Sequence, residues 1–131
     1  MVARQMVNDY SKPPRHEIAV VDDDAGVRTA VGRLLAIAGY SVLLFRSAEE
    51  FLAHSVRPDC VVLDVQLPGL SGIELEQQLR ASHPRTSVVF TGCTDAKIAQ
   101  IARQTGRVCV YKAAEDEVLL AAVTHAIQRC L

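Results

Sequence analysis

The sequence predicts a three-layer α/β sandwich, with a five-stranded parallel sheet between layers made from five helices. Three observations carry this. Short apolar runs recur along the chain: Ile18–Val21, Ser41–Phe45, Cys60–Leu63, Ser87–Phe90 and Val108–Tyr111. Between them lie segments whose apolar residues repeat every three or four positions, the spacing of a helix with one buried face. The two kinds of segment alternate strictly, and strands apolar on both faces need helices on both sides of the sheet. Five such units are too few for a closed eight-stranded barrel.

Each element has its own signals. Residues 1–15 are polar and include Pro13-Pro14, which suits neither a helix interior nor a sheet interior. They are expected to be a disordered lead-in to one domain over residues 16–131. After the first strand, Asp24 can cap a helix carrying Val27, Val31, Leu34 and Leu35 on one face, and Gly39 ends it. Ser47 and Glu50 form an S-x-x-E capping box for a short helix through His54. Pro68-Gly69 is a turn after the third strand. Ile73, Leu75 and Leu79 mark the third helix, and Ile98, Ile101 and Ala102 the fourth, stopped near Gly106. Val118, Leu119, Ala122, Val123, Ala126 and Ile127 give the last helix its apolar face. Glu115, Asp116 and Glu117 are acids at its start, where the helix dipole favours them. The natural topology is the flavodoxin-like strand order 2-1-3-4-5, in which ligands bind beyond the carboxyl ends of the strands.

Composition narrows the function. Fourteen Lys and Arg against 15 Asp and Glu leave a net charge of −1. That makes the chain a poor candidate for a general nucleic-acid or membrane binder, because phosphate recognition needs surplus positive charge. No apolar run approaches the roughly 18 residues of a membrane span. The N-terminal residues offer no apolar stretch for a secretion signal, so a cytoplasmic location is expected. Cys60, Cys93, Cys109 and Cys130 form no CxxC pair and are expected as free thiols, mostly buried. The four histidines have no metal-ligand spacing.

The chemistry lies where the strands stop. The first ends in Asp22-Asp23-Asp24, the third in Asp64, the fourth in Thr91-Gly92 and the fifth in Lys112. The second, at the sheet edge, contributes no acid, hydroxyl or lysine. Singly, these residues have ordinary explanations as helix-start acids, a turn residue, a strand-end threonine and a solvated lysine. Jointly they bring carboxylates, a hydroxyl and an amine to one rim. Clustered carboxylates repel, and a hard divalent cation such as Mg²⁺ relieves the repulsion. With Mg²⁺ bound, one carboxylate can attack phosphorus and form an aspartyl phosphate.

At these residues the chain resembles the receiver domain of bacterial two-component response regulators. The resemblance runs from about Glu17 to Leu131. It rests on Val20-Val21-Asp22-Asp23-Asp24, the run LDVQLPGLSGIEL from Leu63 to Leu75, Val88-Val89-Phe90-Thr91-Gly92, and Tyr111-Lys112. SAEEFLAH and FTG look like the subgroup often fused to a C-terminal helix-turn-helix. The resemblance implies that Asp64 is the phosphoacceptor. It implies that Asp23, Asp64 and the backbone carbonyl of Gln66 hold Mg²⁺, with Asp22 acting mainly through a coordinated water. Thr91 and Lys112 would serve the phosphoryl oxygens. The donor would be a histidine kinase or phosphotransfer protein, and a homodimer through the fourth helix, fifth strand and fifth helix is plausible. The chain departs from the family at three points. Ala113 follows the lysine where Pro is usual, so a trans bond and a reshaped loop are expected. Cys109 replaces the usual aromatic of the fifth strand. Gly106-Arg107-Val108 looks one residue short. These changes spare the phosphorylation chemistry and fall on the usual switch readout.

Three other readings stand beside this one. An interaction module that never uses phosphate is motivated by the missing proline and aromatic. A Mg²⁺-dependent aspartyl phosphatase usually carries a second acid two residues after the nucleophile, and Asp64-Val65-Gln66 has none. A flavin carrier needs Gly, Ser and Thr in the first loop, where this chain has acids. Cys93, two residues beyond Thr91, is expected at the rim as a bystander thiol, with redox modulation as the alternative. A free-standing receiver and one belonging to a longer regulator both fit the sequence.

Overall fold

The structure is a computed structural model that describes residues 15–111 and 116–129. The predicted lead-in falls almost wholly outside these residues, as do Lys112, Ala113, Glu115 and Cys130. Among the described residues ten elements alternate. They are β1 (Glu17–Val21), α1 (Ala25–Ile37), β2 (Ser41–Phe45), α2 (Ala48–Ala53), β3 (Cys60–Asp64), α3 (Gly72–Ser82), β4 (Ser87–Cys93), α4 (Ala96–Arg103), β5 (Val108–Tyr111) and α5 (Asp116–Arg129). The strands are all parallel and stand in the order β2-β1-β3-β4-β5, as the sequence predicts. The first strand of such a sheet becomes interior because the chain crosses over it, and right-handed crossovers then place helices on both faces.

Two apolar cores follow from strand alternation. Ala19, Val21, Val61, Leu63, Val88 and Phe90 point to one face, where α2, α3 and α4 cover them through Phe51, Leu75, Leu79, Ala99 and Ala102. Ile18, Val20, Cys60, Val62 and Val89 point to the other, under Leu35 of α1 and Leu119, Val123 and Ile127 of α5. β3 is buried at every position, which is why Cys60–Leu63 reads as a continuous apolar run rather than an alternating one.

The helix ends are fixed by side chains. Asp24, Ser47, Ser71 and Asp95 each accept a hydrogen bond from the backbone N–H three residues on. The capping box belongs to α3, not α2. Ser71 accepts from the Glu74 N–H and Glu74 accepts from the Ser71 N–H. At α2, Ser47 does its half, but the Glu50 carboxylate is drawn back to the N–H and guanidinium of Arg46. An arginine just before the N-cap competes for the carboxylate, and charge assistance favours it. α2 correspondingly ends at Ala53, with His54 as its C-cap. α1 closes at Gly39, whose φ of +102° is the left-handed conformation that ends helices.

One buried charge organises the far end of the sheet. Glu76 of α3 is only 1% exposed, and its Oε2 accepts from Arg80 at 2.8 Å and from Arg107 at 3.0 Å. Arg80 also donates to the carbonyl of Thr105. This clamp ties α3 to the connection that leads into β5. Glu76→Ala is expected to lower unfolding free energy by about 2–3 kcal/mol, because two guanidinium groups lose a buried partner but remain partly solvated. Glu74→Ala, which removes half of an exposed capping box, should cost about 1 kcal/mol or less. Urea denaturation of the two variants compares them directly.

Candidate functional site

The register of the central strands builds the site. Val21 pairs with Leu63, and Asp64 pairs with Thr91. The next residue of the first strand, Asp22, therefore leaves the sheet beside Asp64. Asp22 is 6% exposed and Asp64 is 8% exposed. Asp23 is exposed at the rim. One carboxylate oxygen from each of Asp22, Asp23 and Asp64 lies within 4.8 Å of the others. At that spacing the repulsion between the two buried carboxylates alone is about 3 kcal/mol at an intermediate effective dielectric. The donor set is all oxygen and anionic, which suits a hard cation such as Mg²⁺ and not a thiophilic one.

Local hydrogen bonds aim these groups. Asp22 Oδ1 accepts from the Asp24 N–H at 2.9 Å, while Asp24 itself caps α1. Arg28 of α1 donates to the Asp22 carbonyl at 2.8 Å. Asp64 Oδ1 accepts from the Gln66 N–H at 2.9 Å. The Val65 N–H donates to the Thr91 carbonyl at 2.9 Å, so the ladder between β3 and β4 continues past the acid. Asp22, Asp64, Thr91, Gly92, Tyr111 and Asp116 help to line a cavity of about 220 Å³. Asp22, Asp23, Asp64, Gln66 and Thr91 thus meet at one rim. Lys112, the remaining predicted site residue, lies outside the described residues.

Two glycines are required by that closeness. Gly92 has φ +77°, and a Cβ there would run into the Asp64 carboxylate. A Cβ on Gly72 would run into the Asp64 carbonyl and come within 2.9 Å of Val65 Cα. Small residues therefore let the start of α3 and the end of β4 press against the acid.

Sequence reasoning missed Glu49. Its Oε2 accepts from the Leu70 N–H at 3.0 Å, bridging α2 to the loop after β3. That N–H, with the Glu49 backbone N–H second, holds the Glu49 carboxyl below its ordinary value. A tertiary acceptor on an exposed loop donor leaves no mark in the sequence beyond a generic first-turn acid. Sequence reasoning also placed the cysteines wrongly. Cys60 is a buried thiol as expected, but Cys93 lies in the core rather than at the rim, sulfur against sulfur with Cys109 across β4 and β5. The fourth strand runs on through Cys93, three residues past the predicted Phe90, and its register with β5 shifts between Phe90 and Cys93.

The sequence profile of the response regulator receiver domain matches residues 18–124, which is most of the chain. The chain belongs to the response regulator receiver family. It is 39% identical over 116 residues to the transcriptional regulatory protein FixJ of Bradyrhizobium diazoefficiens, covering 86% of this receiver and 57% of FixJ. It is 37% identical over 90 residues to the DNA-binding transcriptional regulator NtrC of Salmonella typhimurium, covering 66% of this receiver and 19% of NtrC. The receiver thus spans little more than half of FixJ and a smaller part of NtrC. Among solved structures, the BeF3-activated receiver domain of DrrB superposes with a TM-score of 0.81 at 31% identity, covering 88% of this receiver and all of that chain. Receivers of this family are phosphoacceptor signalling domains of two-component systems and bind Mg²⁺ at an aspartate cluster, and this chain carries such a cluster. Among the described residues, no helix is long and apolar enough to cross a membrane.

Two predictions follow from the loops around Asp64. A depressed carboxyl pKa contributes stability that is present above the unfolded value and lost as pH falls through the folded one. The stability difference between wild type and Glu49→Gln should therefore be largest near neutral pH and shrink once pH falls below the ordinary glutamate value of about 4.5. Denaturant titrations at several pH values read it. Gly92→Ala should cost at least about 1 kcal/mol for its left-handed backbone alone. It should also shift the Gln66 amide resonance, because the Asp64 carboxylate that accepts from this amide must move.

Proposed function

We propose that this receiver takes a phosphoryl group on the Asp64 carboxylate and uses it to reset a protein-binding surface. The observation that carries the reading is the clustering of Asp22, Asp23 and Asp64, with Asp64 paired in register to Thr91. Asp64 attacks phosphorus: an O–P bond forms and the P–N bond of a phosphohistidine breaks. The departing imidazole takes a proton. The donor is a histidine kinase or phosphotransfer protein, and small acyl phosphates serve as substitutes. Hydrolysis of the aspartyl phosphate returns the domain to its starting state.

The carboxylates of Asp22, Asp23 and Asp64, with the Gln66 carbonyl, would hold Mg²⁺. Bound there, the ion supplies positive charge to the crowded carboxylates and the incoming phosphoryl oxygens. Asp22 would serve the ion mainly through a water. The Thr91 hydroxyl and Lys112 ammonium receive the phosphoryl oxygens. The N–H groups that hold Asp22 and Asp64 fix the carboxylate directions in advance, which is most of what phosphoryl transfer asks of a protein.

The surface that responds is formed by α4, β5 and α5. Ile101, Val108, Tyr111 and Val118 are 43%, 41%, 50% and 50% exposed there. These scattered apolar side chains support a homodimer or a protein target on this face. Such a role belongs to the cytoplasm, where kinases and nucleotides are found. The domain spans residues 16–131, catalyses nothing beyond its own phosphorylation and dephosphorylation, and has no direct contact with nucleic acid.

Intact mass after incubation with Mg²⁺ and a small acyl phosphate tests the acceptor. A single phosphoryl adduct is expected on wild type and none on Asp64→Asn. An equal adduct on both would remove Asp64 from this role. Mg²⁺ titration of the unphosphorylated protein separates a working receiver from a phosphate-independent interaction module, which would bind no metal at millimolar concentration.

A further inference from the structure

We propose that Cys93 and Cys109 are a reversible dithiol–disulfide couple that closes the β4–α4–β5 crossover into a covalent ring. The two residues are 16 apart in sequence and their Cα atoms are 6.7 Å apart, within the reach of a disulfide. A break in strand pairing is what brings them together. Phe90 pairs with Cys109 and Cys93 with Tyr111, so three steps along β4 match two along β5. The extra residue makes a bulge-like irregularity at Thr91-Gly92, where Gly92 has a φ of +77°. Strict alternation would turn Cys93 away from the face that Phe90 occupies. The bulge turns it back, and Phe90, Cys93 and Cys109 all join the core under α4.

Position gives the pair a consequence. The ring contains all of α4 and both of its connections, and one end begins two residues after Thr91. Cys109 also stands in the strand that borders the exposed apolar face. Any movement of Thr91 that is passed to α4 must travel through the segment the bond encloses. The oxidised pair pins the end of β4 to β5, and the reduced pair frees it. The bearing on signalling rests on the phosphoacceptor reading above, whereas the couple itself does not.

The chemistry is thiol–disulfide exchange with a small-molecule disulfide such as glutathione disulfide. Cys109 is partly exposed and Cys93 is 1% exposed, so Cys109 is the entry point. The Cys109 thiolate attacks one sulfur of the oxidant, forming a mixed disulfide and releasing one glutathione thiolate. The Cys93 thiolate then attacks the Cys109 sulfur and releases the second. Two electrons pass from the protein to the oxidant, and the two cysteine protons end on the released thiolates.

The full chain is equilibrated in glutathione buffers from reducing to oxidising, acid-quenched and mapped by peptide mass. A linked Cys93–Cys109 peptide pair is expected under oxidising conditions and should vanish under reducing ones. Amide exchange across residues 92–107 should be about tenfold faster in the reduced protein than in the oxidised one. Cys109→Ser should exchange like reduced wild type in every buffer. A linkage of Cys93 or Cys109 to any other cysteine, no linkage at any poise, or exchange rates independent of poise would each overturn the proposal. Both readouts use unphosphorylated protein. Failure of the Asp64 adduct would therefore overturn the phosphoacceptor reading while leaving these results to decide the couple.

Discussion

Everything at this site depends on register. β1, β3 and β4 are parallel, and their pairing sets Val21 beside Leu63 and Asp64 beside Thr91. A shift of one residue in either pair would turn Asp64 or Thr91 to the opposite face of the sheet. The register is held by the cores on both faces at once. Val61 and Leu63 must meet α3 while Cys60 and Val62 meet α1 and α5. A slip would exchange one set for the other and bury side chains of the wrong size against each helix layer. The apolar cores thus pin carboxylates together that would otherwise separate, and the repulsion between Asp22 and Asp64 is a load the fold carries.

That load explains the density of hydrogen bonds around the acids. Backbone N–H groups at Asp24 and Gln66 donate to the two buried carboxylates. Each donor stabilises negative charge locally, since charge-assisted hydrogen bonds are stronger than neutral ones. The glycines serve the same end by another route. Gly72 and Gly92 remove side-chain bulk where the α3 start and the β4 end approach Asp64. Glu49 then ties the loop after β3 from outside, through the Leu70 N–H. The acid is held by strand register, by donors and by contact with bare backbone.

Much of this was legible in the sequence, and the parts that were not share a cause. Apolar periodicity located all ten elements, and strand ends located Asp22, Asp23, Asp64 and Thr91, because both depend on short-range pattern. The S-x-x-E motif at Ser47 was misleading since a neighbouring arginine competes for Glu50, whereas Ser71 and Glu74 form the box without a competitor. Glu76 reads as one more helical acid until Arg107, 31 residues away, is seen to reach it. The cysteine pair was hidden by parity. A bulge is a one-residue irregularity in pairing, and nothing in Thr91-Gly92-Cys93 says which strand absorbs it.

The bulge also relates the two faces of the sheet. Asp64 and Thr91 follow the alternation of Val62 and Val89, on the side covered by α1 and α5. Cys93 and Cys109 belong to the opposite side, beneath α4. Between the acid rim and α4 there is only the thickness of the sheet and the two residues Thr91 and Gly92. A strand that kept strict alternation would transmit a displacement of Thr91 along its own axis. A strand that turns over at Gly92 can convert it into a displacement across the sheet, from the α1/α5 side to the α4 side. In this receiver the irregular pairing of β4 with β5 therefore lies between the Asp64 end of the sheet and the surface of α4, β5 and α5, and Cys109 stands beside it.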